Sequence, residues 1–148
     1  MPNIARVIQS VSDPDNKIQC LEFVPTQWVT FYTQLPVLPS STTTVNVVEI
    51  ADSGAKFSLQ SGDFAVVYPT SNADVYDLSN NKRRAITACT DAGDGDCSTA
   101  DAANHLAQLT VTAAFADDSP ASRLYIVRQA VSYCARDGGI YRHVSVDK

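Results

Sequence analysis

Chemistry in this chain has to come from a few clusters: an acidic loop, four cysteines, two histidines, a basic triplet and an aromatic triplet. The acidic loop is Asp91-Ala-Gly-Asp94-Gly-Asp96, followed by Ser98 and Asp101. Hard cations such as calcium take several flexible oxygen ligands, and Asp91, Asp94, Asp96 and Asp101 offer carboxylates on a bendable, glycine-containing segment. The spacing departs from the EF-hand template. With Asp91 as the first position, the third is Gly93 and the twelfth is Ala102, where a bidentate glutamate belongs. Asp and Gly are ordinary turn residues, so the loop reads as a solvated turn tied off by Cys89 and Cys97. Calcium is expected to bind there weakly or not at all. Calorimetry should show no saturable micromolar binding; such binding, lost on Asp94→Ala or Asp96→Ala, would make the loop a metal site instead.

Cys20, Cys89, Cys97 and Cys134 contain no C-x-x-C pair, and only His105 and His143 could join them at a metal, which argues against zinc. An even cysteine count in a Ser- and Thr-rich chain implies two disulfides and an oxidising compartment, with three pairings open. Neither histidine lies in a nucleophile motif, and no G-x-S-x-G, H-E-x-x-H or phosphate-cradling glycine loop occurs. The expectation is therefore a protein that is not an enzyme. Lys82-Arg83-Arg84 reads as a solvated strand entrance, with a docking contact for an acidic neighbour as the alternative. Trp28, Phe31 and Tyr32 could form a sugar-stacking platform. Trp28 and Tyr32 share strand parity and Phe31 opposes them, so at least one of the two faces is ordinary core.

The elements that must position these residues are short β-rich runs separated by turn signals, with hardly any helical spacing of apolar residues. Candidate strands are Ile18–Val24, Trp28–Tyr32, Val45–Ile50, Phe64–Tyr68, Ala85–Cys89, Gln108–Phe115, Arg123–Arg128, Val131–Ala135 and Ile140–Val146, and Ile4 to Val7 is strand-like as well. Pro25, Pro36, Pro39, Pro69 and Pro120 fall between or at the ends of these runs, where a missing N–H breaks no ladder. Asp137-Gly138-Gly139 supplies the positive φ angles of a tight hairpin turn between the last two strands. Ser40–Thr44 and Ser71–Asn81 read as polar loops, the second holding a helical turn around Tyr76, Asp77 and Leu78. Strand placement of Cys20 and Cys134, and the short polar loop between Cys89 and Cys97, give the expected pairing: Cys20 with Cys134 and Cys89 with Cys97.

The chain has 148 residues, 45% of them hydrophobic, which suits one domain, residues 1–148, with a single core. Its 16 acidic residues against 11 lysines and arginines give a formal charge of −5, so no basic field draws nucleic acid or anionic lipid. The longest apolar run, Phe64 to Tyr68, is far short of the ~20 residues that cross a bilayer. The abrupt start, Met1-Pro2-Asn3 leading straight into a strand, is expected to follow a removed segment.

Two clusters resemble a family. One is Pro2-Asn3, Ala5-Arg6-Val7 and Cys20-Leu21-Glu22-Phe23-Val24-Pro25-Thr26. The other is Ser119-Pro120, Arg123-Leu124-Tyr125-Ile126-Val127, Val131-Ser132-Tyr133-Cys134 and Tyr141-Arg142. In order and spacing they are similar to the MshO minor pilins of the mannose-sensitive haemagglutinin (MSHA) type IV pilus. The two clusters cover about a third of the chain; residues 28–115 do not align one by one, and the family's chains continue past the Tyr-Arg hairpin. The resemblance implies a prepilin with a cleaved leader and a long apolar N-terminal helix absent from this sequence, anchored in the inner membrane before assembly into a surface fibre. It implies an antiparallel sheet of pilin or pseudopilin type with loop insertions, mainly β here and α+β with the helix. The implied partners are other pilin or minor-pilin subunits and the inner-membrane assembly machinery. Type II secretion pseudopilins of the J type are the alternative within this class. A secreted carbohydrate-binding β-domain and a small hydrolase are alternatives outside it.

Overall fold

A computed structural model describes residues 5–9, 19–48, 58–91 and 106–144, with the backbone alone at residues 5–9, 19 and 91. These residues form ten strands and one helical turn. The strands are β1 (Ala5–Gln9), β2 (Gln19–Phe23), β3 (Thr26–Gln34), β4 (Thr44–Val48), β5 (Phe64–Val67), β6 (Arg83–Asp91), β7 (Leu106–Val111), β8 (Arg123–Val127), β9 (Val131–Arg136) and β10 (Gly139–Val144), and the turn is α1 (Ala73–Tyr76). The mainly β, antiparallel expectation is met, and every candidate strand has a counterpart, although Ile4, Ile18, Glu49, Ile50, Ser145 and Val146 at the ends of four of them lie outside the described residues. The helical turn falls at Ala73–Tyr76, slightly earlier than Tyr76-Asp77-Leu78. Phe115 lies outside β7 and instead bridges to Val37.

Six strands close into a barrel in the order β3-β4-β7-β6-β5-β8, and four form a separate sheet in the order β1-β2-β9-β10. Closure removes the unpaired edges that an open sheet of this size would present. Barrel and sheet are joined by two continuous ribbons. β2 runs into β3 through Val24-Pro25, and β8 runs into β9 through Arg128-Gln129-Ala130. Proline has no N–H for a ladder, so the pairing of Thr26 with Val127 stops at Pro25 and resumes at Phe23 opposite Val131. The ladder is interrupted there, and the strands beyond it belong to the separate four-stranded sheet.

Two apolar clusters follow from strand parity. Val45, Val47, Ala65, Val67, Leu109, Val111, Leu124 and Ile126 point into the barrel, together with Tyr32 and Phe115. The intervening residues Phe64, Val66 and Val127 point outward and are covered by Val75 and Tyr76 of α1. β5 is thus buried on both faces, which explains why Phe64-Ala-Val-Val67 is an unbroken apolar run and not an alternating one.

The α1 cover is held by Asp74, whose side chain is buried. Its Oδ2 accepts from Thr70 N (2.8 Å), Ser71 N (3.0 Å) and the Thr70 hydroxyl (3.0 Å), and its Oδ1 accepts from Asn80 Nδ2 (3.0 Å). Burial alone would raise this carboxyl, but the four donors outweigh it and hold the pKa at about 2 against an ordinary 3.8. A depressed carboxylate stabilises the fold above its unfolded pKa and loses that contribution as pH falls through the folded one. About 2 kcal/mol of stability is therefore expected to disappear between about pH 4 and pH 2. Urea midpoints measured across that range should show this component in the wild type and lack it in Asp74→Asn; identical pH profiles would remove Asp74 as the cause.

The basic triplet is not a solvated entrance. Arg83 is buried, its guanidinium 3.7 Å from the Phe64 ring centroid and donating to Tyr76 O at 3.2 Å. Arg84 Nε donates to Ala114 O at 2.9 Å. Lys82 lies between Asp74 (3.6 Å) and Asp117 (3.7 Å). All three cations are used to fasten the 68–82 segment and the β7–β8 loop to the barrel, because charge brought near a core is tolerated only when paired.

Candidate assembly surface

The four-stranded sheet carries most of the residues singled out near the chain ends. Cys20 and Cys134 are directly opposite each other on β2 and β9 and form a disulfide, with Cα atoms 4.0 Å apart. This half of the expected pairing is present. Cys89 is also disulfide-bonded and buried in the barrel. Cys97 lies outside the described residues, as do Asp94, Asp96, Asp101, His105 and the side chain of Asp91, so the acidic loop is not placed. Among the described residues no group of three or more His, Cys, Asp or Glu could hold a metal.

Opposed residues of antiparallel strands share a face, so the register sorts the sheet into two sides. One side carries Cys20, Glu22, Ser132, Cys134, Tyr141 and His143. Glu22 is buried and accepts from the Ser132 hydroxyl at 3.1 Å. The Ser132 proton is therefore directed at a carboxylate, although exposed His143 lies on the same rung. Nucleophile activation by an imidazole needs that proton pointed at the ring.

The other side is apolar. It carries Leu21, Phe23, Val131, Tyr133, Ile140 and Val144, with Arg142 among them. Phe23 and Tyr133 stack with ring centroids 6.0 Å apart and planes 8° from parallel. Several of these side chains remain open: Leu21 is 49% exposed, Tyr133 40%, Ile140 77% and Val144 47%. Four large apolar side chains on one strand face are unusual for a surface with nothing to cover. Where the face meets the barrel it forms a groove of about 330 Å³, lined by Phe23, Gln129, Val131, Tyr133, Arg142 and Val144 on the sheet side and by Ser61 and Gly62 opposite.

An ion pair stands beside the groove, and its Arg128 is part of the lining. Asp63, fully buried, accepts from Arg128 Nε at 2.8 Å and from Gln60 N at 2.9 Å. Arg128 N donates in turn to Pro25 O at 3.2 Å, tying both ribbons together where they leave the barrel. Gly62 has φ +86°, and a Cβ there would lie 3.5 Å from the Gln129 amide that lines the groove. The turn therefore needs glycine's backbone freedom.

The aromatic triplet splits as parity requires. Tyr32 is buried in the barrel. Its hydroxyl donates to Asp118 at 2.6 Å and accepts from Ser119 N at 2.7 Å. Burial and, after it, Asp118 push the phenol pKa up. Trp28 packs partly buried against the same core, and Phe31 faces out, 49% exposed. Sequence reasoning missed the Asp63–Arg128 clamp, whose partners are far apart in the chain and carry no motif. It also did not single out Leu21, Ile140 and Val144 as a surface. The alternation Ile140-Tyr-Arg-His-Val144 held part of that signal, but whether a face is covered cannot be read from alternation.

Fold and surface together define a class: a mainly β protein with a closed antiparallel barrel bearing a disulfide-pinned sheet, one face of which is apolar and open. No protein-family model, no curated protein and no solved structure matches the chain. No helix among the described residues is long and apolar enough to cross a membrane.

Proposed function

We propose that this domain is a structural subunit of a bacterial type IV pilus of MSHA type, a minor pilin whose four-stranded sheet docks apolar helical surface. The observation that carries the proposal is the open apolar face of Leu21, Tyr133, Ile140 and Val144 at a sheet pinned by Cys20–Cys134. An amphipathic or apolar helix laid across such a face buries its stripe against side chains projecting from alternate strand positions. The resemblance to MshO minor pilins supplies the occupant, because the family carries a long apolar helix ahead of the first strand. A pilin-type antiparallel sheet is then the part of the fold that the helix completes. The subunit would sit in the inner membrane with this domain in the periplasm, and enter the fibre through contacts with other pilin subunits. Fibre contacts of this kind are heterologous and head-to-tail, so a single low-abundance subunit can prime or cap the assembly. A J-type secretion pseudopilin would use the same face in the same way.

Two substitutions test the proposal in the full-length gene. Ile140→Asp and Tyr133→Asp lie on exposed positions, so the melting temperature of the isolated domain should move little. In cells lacking the native gene, complementation with either variant should restore fewer surface pili than wild type. Wild-type pilus numbers with both variants together would remove the sheet face from assembly. A purified domain that turns over ester, peptide or glycoside substrates would remove the architectural role itself.

A further inference from the structure

A second surface, none of whose residues lines the groove, lies on the outer wall of the barrel across β3, β4 and β7. It originates in a bulge. The register of β3 against β4 shifts between Tyr32 and Gln34, so Thr33 and Gln34 both face solvent in succession. Gln34 is thereby turned onto the next strand, where Asn46 Nδ2 donates to its Oε1 at 2.9 Å. Gln108 Nε2 of β7 donates in turn to Asn46 Oδ1 at 3.2 Å. Three side-chain amides thus form a ladder across three strands, each orienting the next. At one end of the same face Phe31 is 49% exposed, and beyond the ladder Thr110 O accepts from exposed Thr87 Oγ1 at 3.2 Å. No residue in 27–48 or 106–111 is charged, in a chain that carries 27 charged side chains, 16 acidic and 11 basic. Arg123, opposite Phe31 on β8, closes the face with its guanidinium 6.0 Å from the ring centroid.

We propose that this face binds a neutral oligosaccharide. A hexose hydroxyl is at once donor and acceptor, and a primary amide offers both functions in one plane. After the two amide–amide bonds are made, Gln34 Nε2 and Gln108 Oε1 remain available, so the ladder presents donors at one end and an acceptor at the other. Because each amide is already held by its neighbour, little side-chain freedom is lost when a sugar docks. The apolar face of a pyranose ring matches an exposed aromatic ring, and Phe31 supplies one two residues before the bulge. Gln34, Asn46, Gln108 and Phe31 carry no charge to offset the cost of stripping water from an ion, which favours a neutral ligand along the ladder; Arg123 is the cation at the Phe31 end, and titration with a galacturonate tests whether it selects an anion instead.

Titration calorimetry of the oxidised chain with cellohexaose, laminarihexaose and α-1,6-mannohexaose tests this, with tri-galacturonic acid as the charged counterpart. At least one neutral hexaose is expected to bind saturably in the high-micromolar to millimolar range. Phe31→Ala should weaken it roughly tenfold, and Gln108→Ala or Asn46→Ala by roughly threefold to tenfold. Tyr133→Asp should leave it unchanged, which separates this site from the assembly face. Binding to none of the neutral sugars, tighter binding of the galacturonate, or binding that survives Phe31→Ala with Gln108→Ala in a folded protein would overturn the proposal.

Discussion

Replacing Cys20 and Cys134 together by serine is expected to lower stability by about 4–5 kcal/mol, the largest effect of any change to the sheet. The bond spans 114 residues, and in the chain-entropy view a cross-link of that length removes more freedom from the unfolded chain than a short one does. The native side points the same way. The sheet has two edges, and β10 is exposed along nearly its whole length, so little burial holds the sheet together. The barrel closes on itself around its own core. Loss of the Cys20–Cys134 bond should therefore loosen the sheet before the barrel. In urea titrations the midpoint should fall in the double serine variant, which leaves the Cys89 disulfide in place. Hydrogen exchange should accelerate in β2 and β9 while β5 and β8 stay protected. A loss under about 1 kcal/mol, or uniform acceleration throughout, would show that the bond is not what secures the sheet.

Phe115→Ala is expected to cost about 3–5 kcal/mol, although Phe115 lies in no regular strand. The side chain is fully buried in the barrel core. Its backbone is fixed on both sides: Phe115 N donates to Pro36 O at 2.9 Å, and Leu38 N donates to Phe115 O at 2.8 Å. With the backbone held, neighbouring Val111 and Leu124 cannot collapse to fill the space, and the cavity persists. Phe31→Ala, a few residues away from the other end of that contact, should change stability by about 0.5 kcal/mol or less because the ring is half exposed. Thermal melts of the two variants side by side decide the matter. A Phe115→Ala protein that melts within a degree or two of wild type would mean that the barrel end is loosely packed.

The mainly β class, most strand positions and the Asp137-Gly138 hairpin were legible in the order of the residues, and the Cys20–Cys134 bond was the expected one of three pairings. Each of these is a local or pairwise property. Period-two alternation and proline placement mark strands directly. Asp137 and Gly138 take φ 49° and 76°, values that few residue pairs other than Asp-Gly accept readily. The parity split of Trp28, Phe31 and Tyr32 followed from the side-chain period of a strand. Which strands become neighbours emerges only on folding. β3 pairs with β8 nearly a hundred residues away, and that contact, not any motif, closes the barrel and makes the sheet a separate layer. Closure in turn decided the charges: Lys82, Arg83 and Arg84 look solvated in a linear reading because their partners Asp74 and Tyr76 in the 68–82 segment, and Ala114 and Asp117 in the β7–β8 loop, become neighbours only when both segments fold back on the barrel. The amide ladder has the same origin. Gln34, Asn46 and Gln108 are unremarkable in sequence, and a one-residue bulge in β3 aligns them, since adding a single residue to a pleated strand reverses the side on which every following side chain emerges.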